Sequence, residues 1–130
     1  MQKKKRILIV DDEVEFRETL AKMFKRRDID ADMADGCQMA LEKLQASEFD
    51  VVIMDVSMPP GLDGIQCLAR VKEQWPETEV IILTGHASVS SGILGMQGGA
   101  FDYCLKPIDF AELLEKIELA WEKVQITRGR

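Results

Sequence analysis

The chain has 130 residues, 46% of them hydrophobic, with 17 basic and 23 acidic side chains and a net charge of −6. That is one domain's length with enough apolar material for a core, and its acidic balance argues against nucleic acid as a partner. No stretch reaches the roughly 18 apolar residues of a membrane-spanning helix, and the basic start, MQKKKR, runs into IVDDE before any signal-peptide core forms.

Residues 1–5 read as a solvated basic lead-in. RILIV (6–10) is an apolar, β-branched strand, and DDEVEFRETLAKMFKRR follows with Phe16, Leu20, Met23 and Phe24 on one helical face. DADMA (30–34) is a short, weak strand. Asp35-Gly36 opens a second helix with Cys37, Ala40, Leu41 and Leu44 on one stripe. VVIM (51–54) is a fully buried strand, and after the loop VSMPPGLDG a third helix carries Leu68, Val71 and Trp75 before Pro76 stops it. VIIL (80–83) is another buried strand. SVSSGILGMQGGA (88–100) holds Gly92, Gly95, Gly98 and Gly99. Each glycine costs about 1 kcal/mol against Ala in a helix, so this segment is expected to be a poor, marginally stable helix that can shift. The plainer alternative is that its glycines permit close helix–sheet packing. FDYCL (101–105) is the fifth strand. Asp109 caps the last helix with Glu112 in capping-box spacing, and its apolar stripe is Phe110, Leu113, Leu114, Ile117 and Trp121. Glu112, Glu115, Glu118 and Glu122 with Lys116 and Lys123 form its open side, either a solvated face or charges that pair across a dimer.

Continuous apolar strands alternating with helices predict an α/β fold: a doubly wound, five-stranded parallel sheet with five helices on both faces. Three cysteines, Cys37, Cys67 and Cys104, lack metal-ligand spacing and sit in apolar settings. They are expected as reduced, buried thiols of a cytoplasmic protein. The lone His86 makes no zinc site by itself.

In such a sheet the ligand site lies at the carboxyl ends of the strands, where strand order reverses. Strand one ends in Asp11-Asp12, strand three in Asp55, strand four in Thr84-Gly85 and strand five in Lys106-Pro107. Each alone has a plain reading: helix caps for Asp11, Asp12 and Thr84, turn chemistry for Asp55 and Pro107, a surface lysine for Lys106. Their convergence is harder to set aside, because clustered acids repel each other unless a cation or a buried lysine settles them. Carboxylates with open positions suit Mg²⁺. Beside a lysine, such a site suits phosphoryl transfer, with Asp55 as nucleophile and Lys106 as a second positive charge.

The motifs ILIVDDE, VVIMDVSMPPGLDG, VIILTGHAS and AFDYCLKP, spread over nearly the whole chain, resemble the CheY-like receiver domain of bacterial two-component response regulators. The resemblance implies a flavodoxin-like sheet of strand order 2-1-3-4-5, with residues 6–124 as the receiver and 125–130 as a tail or the start of a linker. It implies that Asp55 accepts a phosphoryl group from a sensor histidine kinase or phosphotransfer protein. Asp12, Asp55 and the backbone carbonyl of Ser57 would bind Mg²⁺ directly, and Asp11 would hold it through water. Lys106 would pair with the acceptor and then the phosphoryl group, Thr84 would be the switch hydroxyl and Tyr103 the aromatic that moves with it. The Lys106-Pro107 bond would be cis. Output would pass through the surface of helix 4, strand 5 and helix 5, by phosphorylation-dependent homodimerisation or partner docking, with no membrane and no direct nucleic-acid contact. The domain would be a phosphoacceptor rather than a turnover enzyme. The loop departs from the usual pattern: Pro60-Gly61-Leu62 before Asp63-Gly64 makes it one residue longer. Two other readings are a phosphate-independent docking module of the same fold and an Asp-nucleophile phosphatase. The latter needs a second Asp two residues after Asp55, where this chain has Ser57.

Overall fold

The computed structural model describes residues 4–56, 64–85 and 94–130. Five strands, β1 (Arg6–Val10), β2 (Asp30–Ala34), β3 (Val51–Asp55), β4 (Glu79–Thr84) and β5 (Asp102–Leu105), form one parallel sheet in the order β2-β1-β3-β4-β5. Between them run α1 (Val14–Lys25), α2 (Cys37–Ala46), α3 (Gly64–Gln74), a helical turn over residues 94–97 (α4) and α5 (Phe110–Thr127). This is the doubly wound, flavodoxin-like arrangement, and the chain reverses direction across the sheet between β1 and β3.

The period-2 geometry of a strand sorts each apolar run onto two faces. Ile7, Ile9, Val51, Ile53, Ile81 and Leu83 meet Leu20 and Phe24 of α1 and Leu113, Ile117 and Ala120 of α5. Leu8, Val10, Val52, Met54, Val80 and Ile82 meet α2 and α3 through Ala40, Leu44, Leu68 and Val71. Burial of both faces is why these strands read as unbroken hydrophobic runs. Fully burying one such side chain contributes about 1.5–3 kcal/mol. Asp109 caps α5, its carboxylate accepting the Glu112 N–H at 3.2 Å.

Four local expectations are revised. Cys37 and Cys67 are joined in a disulfide, and Cys104 alone is a buried free thiol. The two are 30 residues apart in sequence, but successive crossovers lay α2 and α3 side by side on one face and bring their Cα atoms to 5.8 Å. The glycines at 95 and 98 serve close packing: an added Cβ would fall 3.2 Å from Ile82 Cγ1 and 3.0 Å from Leu68 Cδ2 respectively. The lysines of α5 are not simply solvated: Lys116 donates to the Tyr103 carbonyl at 2.6 Å, and Lys123, though exposed, pairs with the buried Glu79 at 3.1 Å. Finally, Lys5 is not merely solvated: it pairs with Glu118 at 2.9 Å and lies 4.6 Å from the centre of the Trp121 ring.

At the amino ends of the strands a second charge arrangement closes the sheet. The Arg128 guanidinium, with 8% of its side chain exposed, donates to Asp50 Oδ1 at 2.7 Å and to the Phe49 carbonyl at 2.9 Å. The Arg6 N–H donates to the other Asp50 oxygen at 2.9 Å. This bonding ties the end of α5 to the approach to β3. Replacing Arg128 by Ala leaves the Asp50 carboxylate buried without its cation, and is expected to lower unfolding free energy by about 3 kcal/mol. Urea denaturation measures this, and adding Asp50→Asn should recover part of the loss.

Candidate functional site

β1 and β3 are neighbours in register, Val10 opposite Met54, so Asp11 and Asp55 leave the same sheet edge side by side. They also share a face: Ile7, Ile9 and Asp11 alternate on β1 as Val51, Ile53 and Asp55 do on β3. Asp11 is 0% and Asp55 4% exposed, while Asp12, the next residue, is exposed. One carboxylate oxygen from each of Asp11, Asp12 and Asp55 lies within 4.8 Å of the others. An all-oxygen donor set of this kind could hold a hard divalent cation and is unsuited to soft metals.

Lys106, the residue after β5, reaches across the edge. Its Nζ donates to Asp11 Oδ2 at 2.8 Å and to Asp55 Oδ2 at 3.3 Å. It also lies 4.2 Å from the centre of the Phe16 ring. Burial alone would pull the pKa of this ammonium down. The hydrogen bond to Asp11 and the charges of Asp11 and Asp55 outweigh that and carry it above its ordinary value, so Lys106 stays cationic. The Lys106-Pro107 peptide is cis. Asp11 is held from a second side, its Oδ1 accepting the Glu13 N–H at 2.9 Å, and its carbonyl accepts from Arg17 at 2.7 Å. Both Asp11 oxygens are thus occupied by donors.

Gly64, the first residue of α3, seats that helix directly beneath the end of β3. Its N–H donates to the Val56 carbonyl at 3.1 Å, and a Cβ at this position would fall 2.4 Å from the Asp55 carbonyl oxygen. Only glycine permits that approach. Thr84 closes β4 beside these residues, its backbone opposite Leu105. Tyr103 lies on β5 opposite Ile82, half-buried against the α2–α3 face. Ser57 and the side chain of Thr84 lie outside the described residues, as do His86 and the longer loop at 57–63.

The sequence reading missed Phe16, Glu13, Arg17 and Gly64 as parts of this site. Phe16 carried a signal: it stands four and eight residues before Leu20 and Phe24 on the buried stripe, at the end of α1 nearest the strand termini. The Glu13 contribution is a backbone N–H, which no side-chain pattern reports.

Comparison with known proteins agrees with this geometry. Residues 7–118 match the model of the response regulator receiver domain family. The regulatory protein AtoC of Escherichia coli is 38% identical over 83% of this chain and 23% of its own length. The transcriptional regulatory protein TcrA of Mycobacterium tuberculosis is 35% identical over 95% of this chain and 48% of its own length. The chain therefore spans between about a quarter and a half of these relatives. A CheY-like receiver domain protein from Methanospirillum hungatei superposes with a TM-score of 0.89 at 26% identity, covering 96% of this chain and 99% of that one. The chain belongs to the response regulator receiver domain family.

The charge balance at the edge yields a direct test. With Lys106 replaced by Met, Asp11 and Asp55 lose the ammonium between them, at an expected cost of about 3 kcal/mol in metal-free buffer. Adding Asp11→Asn should return at least half of that, as read by urea denaturation of the single and double variants.

Proposed function

We propose that this domain is the phosphoryl-accepting switch of a cytoplasmic two-component pathway, taking its phosphoryl group onto Asp55 from a sensor histidine kinase or a phosphotransfer protein. The observation that carries this reading is the cluster of Asp11, Asp12 and Asp55 within 4.8 Å, bridged by a lysine that bonds two of the three. A carboxylate meant only to cap or turn does not need a partly buried ammonium from a distant strand.

In this reading residues 6–124 are the receiver unit, and the cation held at the cluster is Mg²⁺. Asp12 is exposed and Asp55 stands at the strand end, so these two suit direct ligation, with the Ser57 carbonyl as a third ligand. Both Asp11 oxygens already accept hydrogen bonds, which suits ligation through water. When bound, the metal supplies positive charge to the phosphoryl oxygens. The chain's own residues do the rest. β3 and the underlying start of α3 hold Asp55 rigidly for in-line attack. An Asp55 oxygen forms a bond to phosphorus as the bond to the donor imidazole nitrogen breaks, and the imidazole leaves with a proton. Lys106, already cationic, shifts its hydrogen bonds toward the new phosphoryl oxygens. The product is an acyl phosphate that hydrolyses slowly, so the domain is a phosphoacceptor rather than a turnover enzyme.

Phosphorylation adds charge and strong acceptor oxygens at the site. Thr84 moves to that group, Tyr103 turns into the space it leaves, and the surface of α4, β5 and α5 changes. Tyr103 is suited to this because its ring is only half-buried while its carbonyl is pinned by Lys116. The altered surface docks an output partner or a second copy of the chain.

Incubation with Mg²⁺ and acetyl phosphate should add one phosphoryl group to the intact mass, with no gain for Asp55→Asn or in chelator. A folded wild-type protein that gains none overturns the reading. Cross-linking should show more dimer in the phosphorylated form, and Tyr103→Ala should reduce that response without preventing phosphorylation.

A further inference from the structure

The cysteine pair lies outside the acidic edge but bears on it. Cys37 is the first residue of α2, and Cys67 lies in the first turn of α3, three residues after the Gly64 that seats this helix against the Asp55 carbonyl. We propose that Cys37 and Cys67 form a reversible thiol–disulfide exchange site, whose oxidised state ties the start of α3, and so the support beneath Asp55, to α2.

Three observations carry this. First, the two sulfurs differ in access: Cys37 keeps 7% of its surface and Cys67 none, so an incoming thiolate meets Cys37. Second, Cys37 opens α2 and Cys67 lies in the first turn of α3, so the bond joins the starts of two neighbouring helices. Third, the surroundings of the pair suit either redox state. Both cysteines belong to the same apolar cluster as Ala40, Leu44 and Leu68, where reduced thiols pack as small hydrophobes, so both redox states can share one structure. Cys104 is set apart from this chemistry, because it is buried under α5 and burial pushes its thiol pKa up.

The reductant is a dithiol. Its thiolate attacks Cys37 Sγ, the Cys37–Cys67 bond breaks and the Cys67 sulfur leaves and takes a proton. The second thiol of the reductant then displaces Cys37, and the reductant departs as its own cyclic disulfide. Two electrons and two protons pass to the protein. A low-molecular-weight disulfide runs the sequence in reverse. The proposal rests on the cytoplasmic location above only for which reductants the site meets, since disulfides that occur there are mostly transient and redox-responsive. Its test does not read phosphorylation and so fails or succeeds separately.

The experiment compares the native protein equilibrated with dithiothreitol and with oxidised glutathione. N-ethylmaleimide should label no cysteine in the oxidised form under native conditions. The reduced form should take up label at Cys37, and Cys67 and Cys104 should react only after denaturation. Amide exchange over residues 64–71 should be roughly ten-fold faster in the reduced form. Cys37→Ala and Cys67→Ala should each exchange at the reduced rate in either buffer. Two thiols that stay titratable in oxidised glutathione overturn the proposal, and so do exchange rates over 64–71 that are equal in the two redox states.

Discussion

Two carboxylates at the ends of adjacent buried strands repel each other unless a positive charge lies between them. Asp11 and Asp55 meet that condition through Lys106, whose ammonium lies 2.8 Å and 3.3 Å from their oxygens. Much of the molecule is arranged around this contact. The register of β1 against β3 sets the acids side by side, and β5 delivers the lysine from the far edge of the sheet. Phe16 offers an aromatic face to an ammonium that has lost much of its water. Gly64 lets α3 begin directly beneath the end of β3, so that Asp55 is held by backbone on one side and by charge on the other.

The amino end of the sheet uses the same physics for a different purpose. There Arg128 satisfies Asp50, and its donors are spent on Asp50, the Phe49 carbonyl and Thr78. At the carboxyl end, an exposed Asp12 leaves the cluster open to solvent and able to take up a cation. A closed charge pair stabilises, and an open one could hold a cation. In a receiver domain this keeps the binding end free to change charge while the opposite end holds α5 to the sheet.

α5 joins the two ends. Lys116 reaches the carbonyl of Tyr103 and Lys123 reaches Glu79, so the helix is clamped to β5 and β4 by the same residues that a helical wheel assigns to its open side. The acidic residues left outside, with the exposed Leu119 and Ile126, give this surface a mixed apolar and negative character. On the other face the disulfide ties the first turns of α2 and α3. β3 thus sits between one helix layer held by charge and another held by a covalent bond.

The amino-acid sequence by itself determined the alternation of strands and helices, the two-sided burial of the sheet, the Asp109 cap and the presence of acids, a threonine and a lysine at the strand ends. These are local matters of period and position, which each segment carries within itself. The parallel sheet then required those ends to share one edge. Only the tertiary structure decided which groups touch. Lys106 and Asp11 are 95 residues apart and Arg128 and Asp50 are 78 apart. Neither pairing has a signature in any short window, because it depends on where the crossovers carry each strand. Cys37 and Cys67, expected as separate thiols, became a bond for the same reason. Gly95 and Gly98 looked like helix weakeners because propensity counts only the cost to the isolated helix, whereas Ile82 and Leu68 leave no room for a side chain there.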